Sequence, residues 1–270
     1  MQRAFRTLHK SGFFVIPNPW EIGSARYLQS LGFKALATTS SGLAWANGVS
    51  DGQMNRDAVI RHLREMVAAT DVPVSADFQA GFADHLNDLE ESVSLAIETG
   101  IAGLSIEDST GDTSKPIRDL DDAVARVRAV REIIDRSSTE ILLVARADNF
   151  FMGIADLDDT IARLQAYSAA GADCLYAPGI TTRQQIVAVV AAVAPKPVNL
   201  LVAGATELTL QEIAELGVRR VSVGGGLARA AWGGFIRAAQ VLAKQGRFDG
   251  FVGAPSGSEL NTMFCPNRDQ

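Results

Sequence analysis

Three apolar runs in this chain end in charged side chains, and those ends could do chemistry together. Val72-Pro-Val-Ser-Ala-Asp77 stops at a carboxylate ahead of Gly81-Phe82, and Leu104-Ser-Ile-Glu107-Asp108 stops at two. Leu142-Leu-Val-Ala-Arg146-Ala-Asp148 stops at a guanidinium and a carboxylate. A buried parallel strand reads as a continuous apolar run, so a charge at its end is delivered to the rim of a sheet. Clustered carboxylates repel unless a cation sits among them. Asp77, Glu107 and Asp108 are therefore candidates to surround a hard divalent ion, which prefers oxygen ligands, and Asp51 in Gly48-Val-Ser-Asp51 could add a fourth acid. Taken singly, each acid could instead cap the helix after it. Arg146 needs an anion: Glu107 or Asp108, a substrate carboxylate gripped bidentately, or both.

Other stretches offer less. Ser40-Ser41-Gly42 reads as a compact loop whose hydroxyls and N–H groups could cradle an anionic oxygen, or as plain turn chemistry. Gly224-Gly225-Gly226 opens the last helix, where phosphate or close packing would each explain three glycines. The five lysines, Lys10, Lys34, Lys115, Lys196 and Lys244, all avoid strand ends, which argues against a Schiff-base aldolase. His9, His62 and His85 are too scattered for a zinc cluster.

The elements that must position these groups alternate regularly. Apolar strands are expected at Phe13–Ile16, Ala35–Thr39, from Val72, from Leu104, and at Ile141–Ala145, Cys174–Ala177, Val198–Val202 and Arg219–Val223. Helical patterns fall between them, with a last helix from about Ala228. Eight βα units in 270 residues predict an α/β fold, a closed (β/α)8 TIM-type barrel. The rival, a doubly wound sheet, should carry Gly-x-Gly-x-x-Gly after its first strand, where this chain has Pro17-Asn18-Pro19-Trp20. No composition shift marks a boundary, so residues 1–270 are expected to form one domain, with a barrel core of about 12–245 and a C-terminal tail 246–270.

Bulk properties narrow the class. A net charge of −6 gives no surface for nucleic acid. No apolar run approaches the roughly 18 residues that span a bilayer, the N-terminus lacks signal-peptide character, and only Cys174 and Cys265 occur. A soluble, cytoplasmic protein with a small-molecule partner is expected, with neither nucleic acid nor membrane as partner.

From about Pro17 to Trp232 the chain resembles the isocitrate lyase/phosphoenolpyruvate mutase superfamily. The resemblance rests on Ser41-Gly42-Leu43, Gly48-Val-Ser-Asp51, Ala76-Asp77 through Gly81-Phe82, Gly103-Leu-Ser-Ile-Glu107-Asp108 and Val144-Ala-Arg146. It implies a barrel that binds Mg2+, with Mn2+ as substitute, and a last helix exchanged between subunits of a dimer of dimers, a homotetramer. It also implies that Asp77 ligates the metal, that Asp51 and Glu107 hold its waters, and that Ser41, Gly42, Leu43 and Arg146 bind the substrate's anionic end. Arg146, Glu107 and Asp51 are the catalytic candidates. The implied chemistry is that of a 2-oxo acid whose enolate the metal stabilises.

Departures from the superfamily pattern narrow the reaction. Residues 108–120 hold no cysteine like that of the lyase branch, and Tyr176-Ala-Pro178-Gly179 stands where the phosphonate enzymes carry a histidine. The loop also lacks those enzymes' lysine-asparagine pair, and Gln79 takes the place of a second acid after Asp77. The expected activity is a lyase cleaving a C–C bond of a small 2-oxo or 2-hydroxy dicarboxylate, most concretely oxaloacetate decarboxylation. The alternatives are C–P chemistry of the phosphonopyruvate hydrolase or phosphonomutase kind and a catalytically silent barrel that binds a 2-oxo acid.

Overall fold

The computed structural model describes residues 1–265. After α1 (Gln2–Lys10) the chain runs through β1 (Phe14–Ile16), α2 (Ile22–Ser30), β2 (Leu36–Ala37), α3 (Ser40–Ala46) and α4 (Arg56–Ala69). It continues through β3 (Val74–Asp77), α5 (Leu89–Glu98), β4 (Gly103–Glu107), α6 (Leu120–Arg136), β5 (Leu142–Arg146), α7 (Leu157–Ala169) and β6 (Cys174–Tyr176). The last elements are α8 (Arg183–Val193), β7 (Val198–Leu201), α9 (Leu210–Glu215), β8 (Arg220–Ser222), α10 (Gly226–Gln245) and α11 (Gly257–Phe264). All strand pairs are parallel, in the order β1-β8-β7-β6-β5-β4-β3-β2. The seam between β1 and β2 closes through the Ala37 N–H donating to the Pro17 carbonyl at 3.1 Å. Asn18 staples that seam: its Nδ2 donates to the Thr38 carbonyl, and its Oδ1 accepts the N–H groups of Val223 and Gly224. This is the (β/α)8 barrel that the alternation predicts, each expected strand overlapping an observed one.

Side chains pointing outward from the strands meet the helices in one large apolar shell that includes Leu104, Ile106, Leu143, Ala145, Leu164 and Val189. Inside the barrel, Ile16, Ala35, Ala37, Ala102, Leu142, Val144 and Cys174 pack around Phe5 of α1. Three helices were not anticipated: α1, α3 and α11. α1 plugs the barrel floor, so the barrel's packing begins ahead of residue 12. Arg6 donates to the carbonyls of Glu140 and Ile141 at 2.7 and 2.8 Å and pairs with Asp173. Gly103 must lack a Cβ, which would stand 2.5 Å from the Phe5 ring. The last five residues of the expected tail lie outside the described residues.

The floor also sets an acid sensitivity. His9 Nδ1 donates to the Phe5 carbonyl at 2.8 Å, so Nε2 accepts from Arg220 Nη1 at 3.3 Å and the ring is neutral. Burial, and then the Arg220 charge, lower its pKa to about 3; burial alone lowers that of His62 to about 4. The unfolded chain binds more protons than the folded one between those values and the ordinary 6.5, so stability is lost as pH falls through this window. Each histidine contributes as much as about 1.4 kcal/mol per pH unit there. His62→Leu should shrink the drop in urea midpoint between pH 7 and pH 5; an unchanged drop would refute the assignment.

Candidate active site

The charged strand ends converge at the C-terminal mouth. Register places them: Glu107 is paired with Arg146 across β4 and β5, and Arg146 with Tyr176 across β5 and β6. Arg146 Nη1 lies 2.8 Å from Glu107 Oε2 and 3.0 Å from Asp77 Oδ1. Its other edge grips Asp148, Nε to Oδ1 at 3.2 Å and Nη2 to Oδ2 at 3.1 Å. The guanidinium carbon sits 5.2 Å from the centre of the Tyr176 ring. Burial alone would lower the Arg146 pKa, but Asp148, Glu107 and Asp77 outweigh it and hold the group cationic. Burial raises the Glu107 pKa, Arg146 opposes that, and Asp77 adds to it, while Ser109 Oγ donates to Glu107 Oε1 at 2.5 Å. Tyr176 is pushed up to about 12 by burial, against the pull of Arg146.

The Ser40-Ser41-Gly42 stretch, expected as a loop, is the first turn of α3. Thr39 caps it, its hydroxyl accepting the Gly42 N–H at 3.4 Å, and the Ser40 N–H donates to Asp77 Oδ2 at 2.9 Å. A helix N-terminus thus faces the Asp77 carboxylate, which its dipole favours. Ser40 and Ser41 line the mouth. Gly42 and Leu43 lie in the same turn but are buried, with the Leu43 N–H on the Thr39 carbonyl. Gly42 has no room for a Cβ, which would lie 2.8 Å from Trp20, and a Cβ on Gly225 would lie 2.7 Å from Ser41 Oγ. Close packing against α3 explains Gly225 without phosphate.

Asp108 is not in the cluster. Successive strand residues point to opposite sides; Glu107 and Ser109 face the mouth, whereas Asp108 faces backward into the shell. There its Oδ2 accepts from Arg163 Nη1 at 3.1 Å and Tyr167 hydroxyl at 2.6 Å, and its Oδ1 from the Asp148 N–H at 2.8 Å. It is a buttress beneath Asp148 and Arg146. Asp51 reaches the mouth from the loop after α3, where its crowded surroundings, and then Asp77, raise its pKa.

These groups line a cavity of about 600 Å³, the size of a small-ligand site. Its walls also carry Trp45, Arg118, Leu201 and Arg229, none of which the sequence singled out. The donor set suits a hard cation: Asp51, Asp77 and Glu107 offer only oxygen, and with Asp148 they outnumber Arg146. Arg146 lies between Asp77 and Glu107, and among the described residues no three acidic, histidine or cysteine side chains are grouped to enclose an ion directly. Such an arrangement fits an ion that keeps most of its waters, as Mg2+ does.

The family described as phosphoenolpyruvate phosphomutase matches residues 5–243. The chain belongs to that family. It is thus a member of the isocitrate lyase/phosphoenolpyruvate mutase superfamily, whose enzymes are C–C and C–P lyases and mutases. A Burkholderia cenocepacia J2315 crystal structure, provisionally assigned as a lyase/mutase, is 47% identical with a TM-score of 0.94, covering 98% of this chain and 96% of that one. Another from the same organism, provisionally assigned as a phosphonomutase, is 38% identical with a TM-score of 0.82, covering 91% and 98%. The oxaloacetate decarboxylase of Bradyrhizobium sp. (strain ORS 278) is 28% identical over 82% of this chain and 77% of its own length. Like its relatives, this family member is a barrel; among its described residues no helix is long and apolar enough to cross a membrane.

Proposed function

We propose that this protein is a Mg2+-dependent lyase that cleaves a C–C bond of a small 2-oxo or 2-hydroxy dicarboxylate, with oxaloacetate decarboxylation as its most concrete form. The observation that carries this reading is Arg146 locked among Asp77, Glu107 and Asp148 beside an N-terminal helix turn in one cavity. Asp77 would ligate the ion, with Asp51 and Glu107 on its waters; Mn2+ would serve in its place. When bound, the cation supplies Lewis acidity to adjacent carboxylate and keto oxygens.

The chain's own residues do the rest. Arg146 and the Ser41 hydroxyl hold the substrate's carboxylate; of the first-turn N–H groups, that of Gly42 is loosely held at 3.4 Å from Thr39 Oγ1 and would join them, whereas that of Leu43 would first have to leave the Thr39 carbonyl at 3.1 Å. That grip orients the C1–C2 end of the substrate; a hold on the distal group is what sets the C2–C3 rotation and stands the breaking bond across the plane of the keto group. Asp148 and Asp108 keep the Arg146 fork from swinging away. Asp77→Asn should abolish metal-dependent turnover and leave the fold intact, and full activity in EDTA would defeat the metal assignment. The C–P reading draws support from the 38% identical structure. Following oxaloacetate and phosphonopyruvate by NMR with the purified protein separates the two, and binding without turnover of either would point to a silent barrel.

The same proposal includes self-association. Trp232, Phe235 and Ile236 on α10, and Phe248, Phe251 and Val252 after it, are exposed, Phe235 by 62% and Val252 by 86%. Apolar exposure on this scale marks an interface, and a second copy that swaps α10 would cover it. Light scattering should give a tetramer for the native chain and smaller species for Phe235→Asp; a monomeric native chain would refute this.

A further inference from the structure

Arg118 is a charged group of the cavity wall to which the proposed reaction gives no task. Its place is fixed by the backbone. After β4 the chain folds back through an antiparallel bridge between Ser109 and Ile117, and the Arg118 N–H donates to the Asp108 carbonyl at 2.8 Å. From behind, Arg163 Nη1 donates to the Arg118 carbonyl at 2.9 Å. Arg118 is therefore anchored one rung from Glu107 at the foot of the loop, on a buried ion pair.

Its side chain is only 14% exposed, yet its donors are little used. Nη1 meets Asp122, a half-exposed residue one helical turn on, at 3.0 Å, and Nε is buried without an acceptor among the described residues. Its neighbours differ at the Nη groups. Arg146 commits Nε, Nη1 and Nη2 to carboxylates, and Arg126, whose Nε is likewise unpaired among the described residues, spends both its Nη groups on the carbonyls of Ala80, Ala83 and Asp84. Among the described residues Arg126 has no carboxylate partner, and it adds positive potential behind Arg118; burial, and then the Arg118 charge, pull its pKa down to about 10. A part-buried guanidinium with spare donors on a cavity wall is an anion site.

We propose that Arg118 binds the distal carboxylate of a dicarboxylate substrate whose 2-oxo end lies at Arg146. This rests on the 2-oxo acid reading above and deepens it: the preferred substrates carry two anionic ends, and analogues lacking the second leave Arg118 unpaired. Discrimination of this kind is large, because the unpaired partner stays in the protein. Arg229, the other added cation of the wall, is exposed and has only a 3.5 Å contact with the Ala203 carbonyl.

The test is calorimetric, with Mg2+ present, on wild type, Arg118→Gln and Arg118→Met. The probes are oxalate, which mimics the 2-oxo end alone, 3,3-difluorooxaloacetate, which adds a distal carboxylate, and phosphonopyruvate, which adds a distal phosphonate. Both variants should bind difluorooxaloacetate roughly 10- to 100-fold more weakly, with oxalate affinity within about threefold of wild type. Retained oxalate binding shows that the site has folded. Equal losses for oxalate and difluorooxaloacetate, or no loss, would overturn the assignment of Arg118 alone. A loss confined to phosphonopyruvate would overturn the carboxylate in favour of a phosphonate. Failure of the wild type to bind any of the three would overturn the 2-oxo acid reading with it.

Discussion

Arg146→Met should lower kcat/KM on the order of 10³-fold, close to 4 kcal/mol of lost transition-state stabilisation. Two effects add. The substrate carboxylate loses a cation and the one Nη2 hydrogen that Asp148 leaves uncommitted, and Asp77, Glu107 and Asp148 lose the charge that lets them share one site. The second effect complicates the first, since Asp148 is fully buried and would be left without a counter-charge. Its cheapest response is to take up a proton. Arg146→Met combined with Asp148→Leu removes that buried acid and should recover much of any lost thermal stability while leaving turnover as low as in the single variant. Arg146→Lys should fall in between on stability and stay low on activity, because an ammonium cannot span the Asp148 oxygens and the Asp77–Glu107 gap together. A double variant that regained activity would mean that Arg146 only neutralises Asp148.

Asp77, Glu107 and Arg146 were legible in the sequence because an apolar run that ends in charge has few places to go but a rim. The spacing between such runs made the barrel legible too. What failed was anything depending on one residue of register. Glu107 and Asp108 look alike in a string, but the pleat sends one to the mouth and the other into the shell to meet Arg163 and Tyr167. Thr39-Ser40-Ser41-Gly42 has the composition of a turn; that it starts a helix depends on Thr39 capping and on Asp77 waiting at its N-terminus. α1 escaped because few of its nine residues are apolar, and its single buried phenylalanine, Phe5, is what plugs the barrel. Arg118 sits in a polar stretch with no periodicity, so nothing short of the fold-back at Ser109 and Ile117 could bring it to the cavity.

Asp108, the acid the sequence misplaced, carries the largest stability prediction. Its carboxylate is 2% exposed and takes hydrogen bonds from Arg163, Tyr167 and the Asp148 N–H. Arg163→Met deletes the only positive partner among the described residues and leaves a buried charge with two neutral donors, a change expected to cost about 3–5 kcal/mol. Arg163 also ties Asp159 and the Arg118 carbonyl into the network, so the loss spreads to the foot of the loop. Arg163→Met with Asp108→Leu should return a good part of that cost, since a well-packed apolar pair can replace a buried ion pair at little or no penalty. Activity should not return with it, because the Asp148 N–H would have lost the acceptor that sets the Arg146 fork. As a control, Lys115→Ala breaks an exposed pair with Asp119 and should leave the urea midpoint unmoved. Were Arg163→Met as mild as that control, Asp108 would have found water or a proton, and the buttress beneath Arg146 would be no buttress.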